Sequence, residues 1–324
     1  MNKKLDIVPI FFSCDDNYVP YLAVTFESII KHISKDKYYE LNILHANSIC
    51  PQNQIKISDC YSRDNVKVNF VDISYYIDKF SKRLHTRDYY SKATYYRLFI
   101  PNLYKEYDKA LYLDSDIVVL DDIANLYDVD LKDNLVGAIP DEAVAQVPEF
   151  INYVKNRIKV DTEHKYFNAG VLLMNLKKLR EFDFEEVFIN LIEKVTFTVA
   201  QDQDYLNTIC KDKVCYIDKV WNKMPLPDDN INDKDIKLIH YNLSYKPWKL
   251  DNILYEESFW DFASKTGYYD TIVEGKKNYT KEMQDIASKQ TVSLIKLAQE
   301  QADDSKENDA IADIVKEVCK KNKA

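Results

Sequence analysis

The sequence contains very little glycine, 4 residues among 324, and it holds neither a G-x-G-x-x-G segment nor a P-loop. This scarcity argues against a glycine-rich loop that cradles a phosphate. The 6 cysteines form no C-x-x-C pair, and none has zinc-site spacing relative to the 5 histidines. We therefore expect reduced thiols in the cytoplasm.

Long apolar runs and a strongly basic patch are also missing. No apolar stretch reaches membrane-spanning length, and the first residues lack the apolar core of a signal peptide. The net charge is −9, so nucleic acid is not an expected partner. With 46% hydrophobic residues, the chain is suited to one large α/β domain or to one domain with an appendage.

Apolar segments of strand length alternate with helical periodicities along the chain. This β-α-β-α-β order predicts a mostly parallel sheet with right-handed crossovers. Pro9 is expected at the start of the first strand, where proline is tolerated, and Asp16 or Asn17 is expected to cap the helix that follows. Strands are predicted at residues 10–13, 41–45, 66–71, 110–113, 117–120, 167–175 and 236–241, and helical segments at 22–33, 52–61, 91–98 and 201–207.

Near the C-terminus the composition changes to dense and balanced charge. Apolar residues at helical spacing predict an amphipathic helix over residues 283–298 and a second one over 311–318, with a polar joint at 302–309. We therefore expect a main domain over residues 1–275 and a helical appendage over residues 276–324. The appendage is expected to dock on the main domain, to self-associate or to contact a partner.

Two carboxylates one residue apart, Asp114 and Asp116, follow a predicted buried strand. Side chains at i and i+2 of an extended segment point the same way, so these carboxylates converge and repel each other unless they share a cation. Hard divalent ions prefer such oxygens and keep positions open for substrate phosphates. The pair indicates a metal and phosphate site at the carboxyl end of a strand, where open α/β sheets bind ligands. The alternative is an acidic pair that merely begins a turn.

The ordered motifs of this chain resemble glycosyltransferase family 8, which includes bacterial lipooligosaccharide galactosyltransferases and glucosyltransferases and the glycogenins. The resemblance runs from about residue 7 to residue 248. It implies the α/β fold called GT-A for residues 1–275, a mostly parallel mixed sheet flanked by helices. It rests on the Asp-Asp-Asn-Tyr segment at 15–18, Tyr-Tyr-Arg-Leu at 95–98, Leu-Asp-Ser-Asp at 113–116, Phe-Asn-Ala-Gly-Val at 167–171, Asp-Gln-Asp at 202–204, His240, and Lys-Pro-Trp at 246–248.

The resemblance implies a retaining transfer of glucose or galactose from a UDP-sugar, with Mn²⁺, or alternatively Mg²⁺, as the metal. Asp114, Asp116 and His240 are implied to hold the ion, a mixed oxygen and imidazole set that Mn²⁺ tolerates. The metal would act as a Lewis acid on the departing UDP. Lys246 is implied to add a positive charge at the pyrophosphate. The ordinary alternatives are a partly exposed strand-end histidine and a surface lysine.

The remaining motif residues are implied to bind the nucleotide or the donor sugar. Asp15 and Asn17 would contact uracil and ribose, although either can serve simply to cap the following helix. The alternative role of Arg97 is a surface ion pair, and such a pair would contribute little to stability. Gly170 would allow close backbone approach. The implied nucleotide-binding residues are Asp15, Asn17, Ser115 and Lys246, and the implied donor-sugar residues are Arg97, Asp141, Asn168, Gly170 and Asp202.

Gln203 poses a mechanistic problem, because the resemblance places it nearest the anomeric carbon. Retaining transfer by double displacement needs a carboxylate nucleophile, and an amide oxygen is a poor one. Either the acceptor attacks on the face from which UDP departs while Gln203 stabilises positive charge, or Asp202 acts as the nucleophile. We favour the first. The chain also departs from the family because residues 242–245 contain no glycine. That loop is expected to follow a different path.

Two other functions are compatible with the carboxylate pair. In a phosphatase-like hydrolase Asp114 would attack phosphate and Asp116 would act as acid and base, but the apolar residues 117–119 do not suit the turn of such sites. A non-catalytic nucleotide-sugar binder is the other alternative.

The sequence says least about the acceptor, which is expected to be a glycan or a lipid-linked glycan. Candidate acceptor loops cover residues 79–90 and 144–165. A lipid-linked acceptor would bring an otherwise cytoplasmic protein to the inner face of the membrane. Homo-oligomer or partner contacts are expected through the C-terminal helices. The acceptor loops hold His85, Arg87, Tyr89, Arg157 and His164.

Overall fold

The computed structural model describes residues 5–80, 84, 92–228 and 230–321, with the side chains of residues 320 and 321 left out. Its strands are β1 Asp6–Ser13, β2 Lys37–His45, β3 Val66–Asp72, β4 Ala110–Leu113, β5 Ile117–Val119, β6 Val136–Pro140, β7 Phe167–Met174, β8 Val214–Tyr216 and β9 Leu238–His240. Its α-helices are α1 Val19–His32, α2 Pro51–Tyr61, α3 Ser74–Asp78, α4 Ile100–Leu103, α5 Ala124–Tyr127, α6 Pro148–Asn156, α7 Leu176–Glu181, α8 Phe184–Ile192, α9 Asp202–Cys210, α10 Glu256–Ala263, α11 Tyr269–Lys277, α12 Lys281–Asp303 and α13 Ser305–Lys321.

The chain divides into two compact units, and each is built from three separate segments. The first comprises the described parts of Met1–Ile77, Ala110–Asp130 and Asp218–Met283. The second comprises those of Asp78–Lys109, Leu131–Ile217 and Gln284–Ala324. Neither unit begins or ends between residues 275 and 276. The expected domain boundary at that point stays a prediction.

The first unit contains four parallel strands in the order β3-β2-β1-β4. Buried parallel strands are apolar on both faces, which explains the continuous apolar runs of β1 and β4. The prediction that Pro9 begins the first strand is wrong, because Pro9 lies inside β1 opposite Glu40. Proline is tolerated there because β4 pairs with β1 only at Ile10 and Phe11, which leaves the other edge at Pro9 without a ladder.

The predicted cap of α1 is also wrong. The Asp15 Oδ1 atom accepts hydrogen bonds from the backbone N–H groups of Asn17 and Tyr18, at 3.0 and 3.2 Å, and so forms the turn before α1. Asp16 instead serves α2, because its Oδ1 accepts from the Cys50 N–H at 3.0 Å and from the Asn53 side chain at 2.9 Å. The first β–α turn is thereby tied to the following β–α connection.

A short antiparallel pair, β5 with β9, joins distant segments of the first unit. Ile117 lies opposite His240, and the Tyr241 N–H donates to the carbonyl of Asp116 at 3.0 Å. β5 starts three residues after Asp114 and directly after Asp116. The pairing register therefore sets His240 beside the carboxylate pair.

The second unit contains strands in the order β7-β6-β8, with β6 antiparallel to β7 and parallel to β8. The pairs β1–β2, β2–β3, β1–β4 and β6–β8 are parallel, and the pair β6–β7 is antiparallel. This confirms the predicted mostly parallel mixed sheet. β7 is buried along its whole length. Residues 92–99 form a 3-10 helix, Lys92–Phe99, where a helix is predicted; Ser91 lies outside the described residues.

The two predicted C-terminal helices are present as α12 and α13, and α13 packs against α8 and α9. The predicted polar joint at 302–309 is wrong, since Asp304 alone separates the helices. The buried Asn308 side chain donates to the carbonyls of Gln301 and Ala302, at 2.9 and 3.1 Å, and so closes the end of α12. In the part of the chain that is described, no helix has both the length and the apolar character needed to cross a bilayer.

Candidate active site

Three side chains of the first unit converge where β4 ends and β5 begins. Asp114 and Asp116 flank a single residue, and β9 delivers His240. One ligand atom from each of the three lies within 4.8 Å of the others. The His240 Nε2 atom is 3.7 Å from Asp114 Oδ2 and 3.2 Å from Asp116 Oδ1.

The hydrogen bonding of His240 tests whether this cluster suits a metal ion. Its Nδ1 lies 2.9 Å from the amide oxygen of the fully buried Asn222. An amide oxygen only accepts, so Nδ1 is the donor in this contact, and Nε2 is the ring nitrogen that the neutral imidazole offers to a metal ion. Nε2 and Asp116 Oδ1 have no hydrogen-bond partner among the described residues, despite their 3.2 Å separation. Two buried acceptor atoms that face each other fit a shared cation.

Lys246 supplies the positive charge nearest to this cluster. Its buried ammonium forms an ion pair with Asp116 Oδ2. Burial opposes ionisation of Asp116, but neighbouring positive charge, that of the Lys246 ammonium first, outweighs this effect and holds the pKa of the carboxyl well below its usual value. Asp116 is therefore an anion at neutral pH even without a metal.

The loop that carries Lys246 is anchored by Trp248. This ring stacks on Tyr21, with centroids 4.2 Å apart, and also contacts Phe259 at 4.9 Å. No glycine is present in this loop, and Leu243 adopts the left-handed conformation with φ of 50°. A side chain in that conformation costs ~1–2 kcal/mol, so the loop holds strain that a glycine would not.

The predicted nucleotide-binding residues of the first unit lie at the ends of β1 and β4. Asp15 is occupied with the turn before α1, and Asn17 is exposed. The Ser115 hydroxyl donates to the carbonyl of Ser13 at 3.0 Å, which ties the two strand ends together. The structure thus brings Ser115 to the end of β1, and Asp15 holds the turn that precedes α1.

The second unit holds a separate cluster around Gln203, in the first turn of α9. The Gln203 Nε2 donates to Asp141 Oδ2 at 3.0 Å, and its Oε1 accepts from the Ala169 N–H at 2.9 Å. Asn168 donates to the same Asp141 oxygen at 3.1 Å and accepts from the Gly170 N–H at 2.9 Å. The amide of Gln203 is therefore held in one orientation.

Asp202 and Arg97 form a buried ion pair beside this cluster. The Arg97 Nε lies 3.1 Å from Asp202 Oδ2, and both side chains are more than nine-tenths buried. Arg97 also donates to the carbonyls of Thr94 and Ala169. The surface ion pair considered as an alternative for Arg97 is thereby wrong, because the guanidinium is enclosed.

Sequence reasoning missed Gln201, which precedes Asp202. Its backbone is strained, with φ of 47° and ψ of −114°, and its side chain is buried. Neither polar atom of that side chain has a hydrogen-bond partner within the described ranges. Strained and unsatisfied residues concentrate at functional sites, but no local pattern in the sequence announces one.

Asp204 was also missed, although it belongs to the Asp-Gln-Asp motif. It is fully buried, and its carboxylate accepts from the hydroxyls of Tyr166 and Tyr153, at 2.6 and 2.9 Å, and from the Ala200 N–H at 2.8 Å. Burial raises the pKa of Asp204 to about 6 against these hydrogen bonds. Asn222 is the third missed residue, and nothing in the sequence around it indicates its contact with His240.

The candidate acceptor residues differ in whether the structure describes them and in how exposed they are. His85, Arg87 and Tyr89 lie outside the described residues. Arg157 is buried, and its guanidinium bonds to Asn308 at 3.1 Å and to Glu307, so it holds α13. The His164 side chain is 77% exposed.

Comparisons with known proteins agree with this geometry. A relative from Haemophilus influenzae, provisionally described as a glycosyltransferase, is 35% identical over 233 residues, which is 70% of this chain and 66% of the relative. The bifunctional glycosyltransferase WbbM in its apo form has a TM-score of 0.72 at 28% identity, over 86% of this chain and 53% of WbbM. The galactosyltransferase LgtC, solved with donor and acceptor sugar analogues, has a TM-score of 0.65 at 30% identity, over 80% of this chain and 96% of LgtC.

The chain thus spans about two thirds of the Haemophilus relative and about half of WbbM, but nearly all of LgtC. These structures have the GT-A fold, which confirms the predicted fold class. The sequence profile described as "Glycosyl transferase family 8" matches residues 9–252. Because this match covers most of the chain, including both side-chain clusters, the protein belongs to glycosyl transferase family 8.

Proposed function

We propose that the protein is a retaining hexosyltransferase that moves glucose or galactose from a UDP-sugar to a glycan or glycoconjugate acceptor. The observation that carries this proposal is the convergence of Asp114, Asp116 and His240, with His240 Nε2 3.2 Å from Asp116 Oδ1 and neither atom hydrogen-bonded among the described residues. Membership of the family supports group transfer, and the similarity to the galactosyltransferase LgtC supports a hexose donor.

In this proposal Asp114, Asp116 and His240 hold Mn²⁺, or alternatively Mg²⁺. When bound, the ion supplies Lewis acidity to the diphosphate leaving group. The chain itself prepares this site in two ways. Asn222 fixes the His240 tautomer that leaves Nε2 available, and Lys246 keeps Asp116 ionised.

Lys246 has a second role in the proposed reaction. Departure of UDP leaves negative charge on the diphosphate, and a buried ammonium stabilises such charge more strongly than an exposed one does. The stacked Trp248 fixes the loop of Lys246, so little reorganisation is needed when the charge develops. Asp15, Asn17 and Ser115 complete the proposed nucleotide-binding set.

The cluster of the second unit is assigned to the donor hexose. Arg97, Asp141, Asn168, Gly170 and Asp202 offer the mixture of donors and acceptors that sugar hydroxyls need. Their mutual hydrogen bonds place them in fixed orientations before any ligand arrives, which lowers the entropic cost of binding.

Gln203 is assigned to stabilise positive charge on the sugar while the acceptor attacks the face that UDP leaves. The contacts of the two candidate groups support this choice. The Arg97 guanidinium engages the Asp202 carboxylate and reduces its nucleophilicity, whereas Gln203 Oε1 is oriented by the Ala169 N–H. A glycosyl adduct trapped on Asp202 during turnover would contradict this assignment.

The first experiment measures UDP release from a panel of UDP-sugars with Mn²⁺ and with EDTA. We expect slow Mn²⁺-dependent hydrolysis of one UDP-hexose, its loss in Asp116→Asn, and its retention in Asp36→Asn, which changes an exposed carboxylate. Phosphate release from simple phosphomonoesters would instead support the phosphatase-like hydrolase. Donor binding without hydrolysis, and without transfer to any glycan acceptor, would support the nucleotide-sugar binder.

A further inference from the structure

A cavity of about 520 Å³ lies within the second unit, between α13 and the end of α9. This volume falls in the range of small-molecule sites. Its lining combines apolar side chains, which include Ile209, Phe182, Ile311 and Val315, with the ends of several lysines. None of the residues assigned to the transfer reaction lines it.

Two buried polar groups in this lining have unused hydrogen-bonding capacity. Thr208 and Arg157 are each 3% exposed, and both line the cavity. The Thr208 hydroxyl and the Arg157 Nε have no hydrogen-bond partner among the residues that the structure describes. Leaving such a group unsatisfied is energetically unfavourable. A ligand that accepts hydrogen bonds would recover that energy.

The charge of the lining favours an anion. The lining itself holds Arg157 and the lysines at 159, 211, 213 and 316 against Asp212 and Asp309. Outside the lining, Arg157 also pairs with Glu307 and Lys316 with Asp313. Lys159 is paired with Asp309 at 3.4 Å, and Lys211 donates to the carbonyl of Lys159. The ammonium of Lys213 instead lies 5.0 Å from the centre of the Phe182 ring, at the junction of the apolar and cationic parts of the lining.

We propose that this cavity binds a single-chain alkyl phosphate. The apolar side chains of α13 and α9 take the alkyl chain, because removal of each methylene from water is favourable. The Thr208 hydroxyl, the Arg157 Nε and the Lys213 ammonium take the phosphate, which accepts charge-assisted hydrogen bonds. The ligand is defined by both parts, so neither inorganic phosphate nor a neutral alcohol replaces it.

The test is isothermal titration calorimetry on the full chain with octyl phosphate, inorganic phosphate and octanol, without nucleotide sugar. We expect octyl phosphate to bind with one site per chain and the other two to bind at least about tenfold more weakly, the ratio that ~1.4 kcal/mol produces. Equal affinity for octyl phosphate and octanol would overturn the proposal, since the cavity would then be only an apolar hollow. Absence of octyl phosphate binding would overturn it as well.

Matched variants locate the binding. Val315→Phe fills the cavity and Thr208→Val removes only the hydroxyl, so each is expected to weaken octyl phosphate binding about tenfold or more. Val292→Phe is the control, because Val292 is 67% exposed on α12 outside the cavity. Unchanged binding in both Val315→Phe and Thr208→Val, with normal thermal unfolding, would contradict the proposed location.

A flotation experiment with vesicles distinguishes two sources of an alkyl phosphate, a membrane lipid and a free amphiphile. Flotation with phosphatidylglycerol vesicles that is lost in Val315→Phe identifies a membrane lipid as the source. Octyl phosphate binding without flotation identifies a free amphiphile. Because the calorimetry needs no donor, failure of the transferase assay leaves this test unaffected.

Discussion

Asp204 is a buried anion next to the proposed catalytic glutamine, and its replacement by asparagine makes a quantitative prediction. Its Oδ1 accepts from Tyr166, and its Oδ2 accepts from both Tyr153 and the Ala200 N–H. In Asp204→Asn the amide oxygen can take the place of Oδ2, and the amide N–H group can donate to the Tyr166 oxygen after its hydroxyl rotates. The substitution therefore keeps a hydrogen bond at each of these three contacts, with the Tyr166 contact reversed, while it removes the charge.

The size of the effect follows from the pKa. Burial raises the pKa of Asp204 from 3.8 to about 6, and each pKa unit corresponds to ~1.36 kcal/mol. The folded protein therefore binds more protons than the unfolded chain between pH 3.8 and about 6, and this carboxyl makes stability fall as pH rises through that window. Above pH 6 the ionised Asp204 costs about 3 kcal/mol, a cost that Asp204→Asn lacks.

Urea denaturation of both proteins at pH values from 4 to 8 measures this difference. We expect Asp204→Asn to gain up to about 3 kcal/mol relative to the wild type as pH rises over that range. Asp133→Asn serves as the control for loss of one carboxylate, because its side chain is 97% exposed. A difference between Asp204→Asn and wild type that stays constant with pH would refute the reasoning.

Three further substitutions test other contacts. Asn222→Leu removes the acceptor that orients His240. The Mn²⁺ concentration for half-maximal UDP-sugar hydrolysis should therefore rise about 10- to 100-fold. An unchanged concentration would mean that His240 does not bind the ion. Arg97→Lys keeps the charge but loses the guanidinium whose Nε contacts Asp202, so kcat/KM should fall about tenfold or more. Wild-type kinetics would exclude a role for this geometry. Asn308→Leu leaves the end of α12 unsatisfied and should cost ~2 kcal/mol in urea denaturation, whereas full stability would show that this contact is dispensable.

The parts of the fold that depend on local pattern were predictable. The apolar run before Asp114 and the alternation of strands and helices in the first unit are visible in the sequence, because buried parallel strands need apolar side chains on both faces. The convergence of Asp114 and Asp116 follows from their spacing of two residues. These features need no knowledge of distant contacts.

The parts that depend on tertiary contacts were not predictable. Asp16 resembles a helix cap by position, yet its carboxylate serves α2 because that helix packs nearby. The interval between α12 and α13 is polar like a loop, yet Asn308 is polar because it is buried and caps a helix end. Asn222 and Gln201 carry no local signal, since their roles arise from His240 and from backbone strain.

The pairing of β5 with β9 means that the proposed metal cluster can form only after β9 has been synthesised. Ile117 and His240 are neighbours across this ladder although most of the second unit lies between them in the chain. A ribosome-bound chain that has exposed both aspartates still lacks the imidazole, so the cluster cannot form before β9 emerges. Because ligand binding stabilises only the state that binds it, a divalent ion would favour chains that include β9 over shorter nascent chains that lack it.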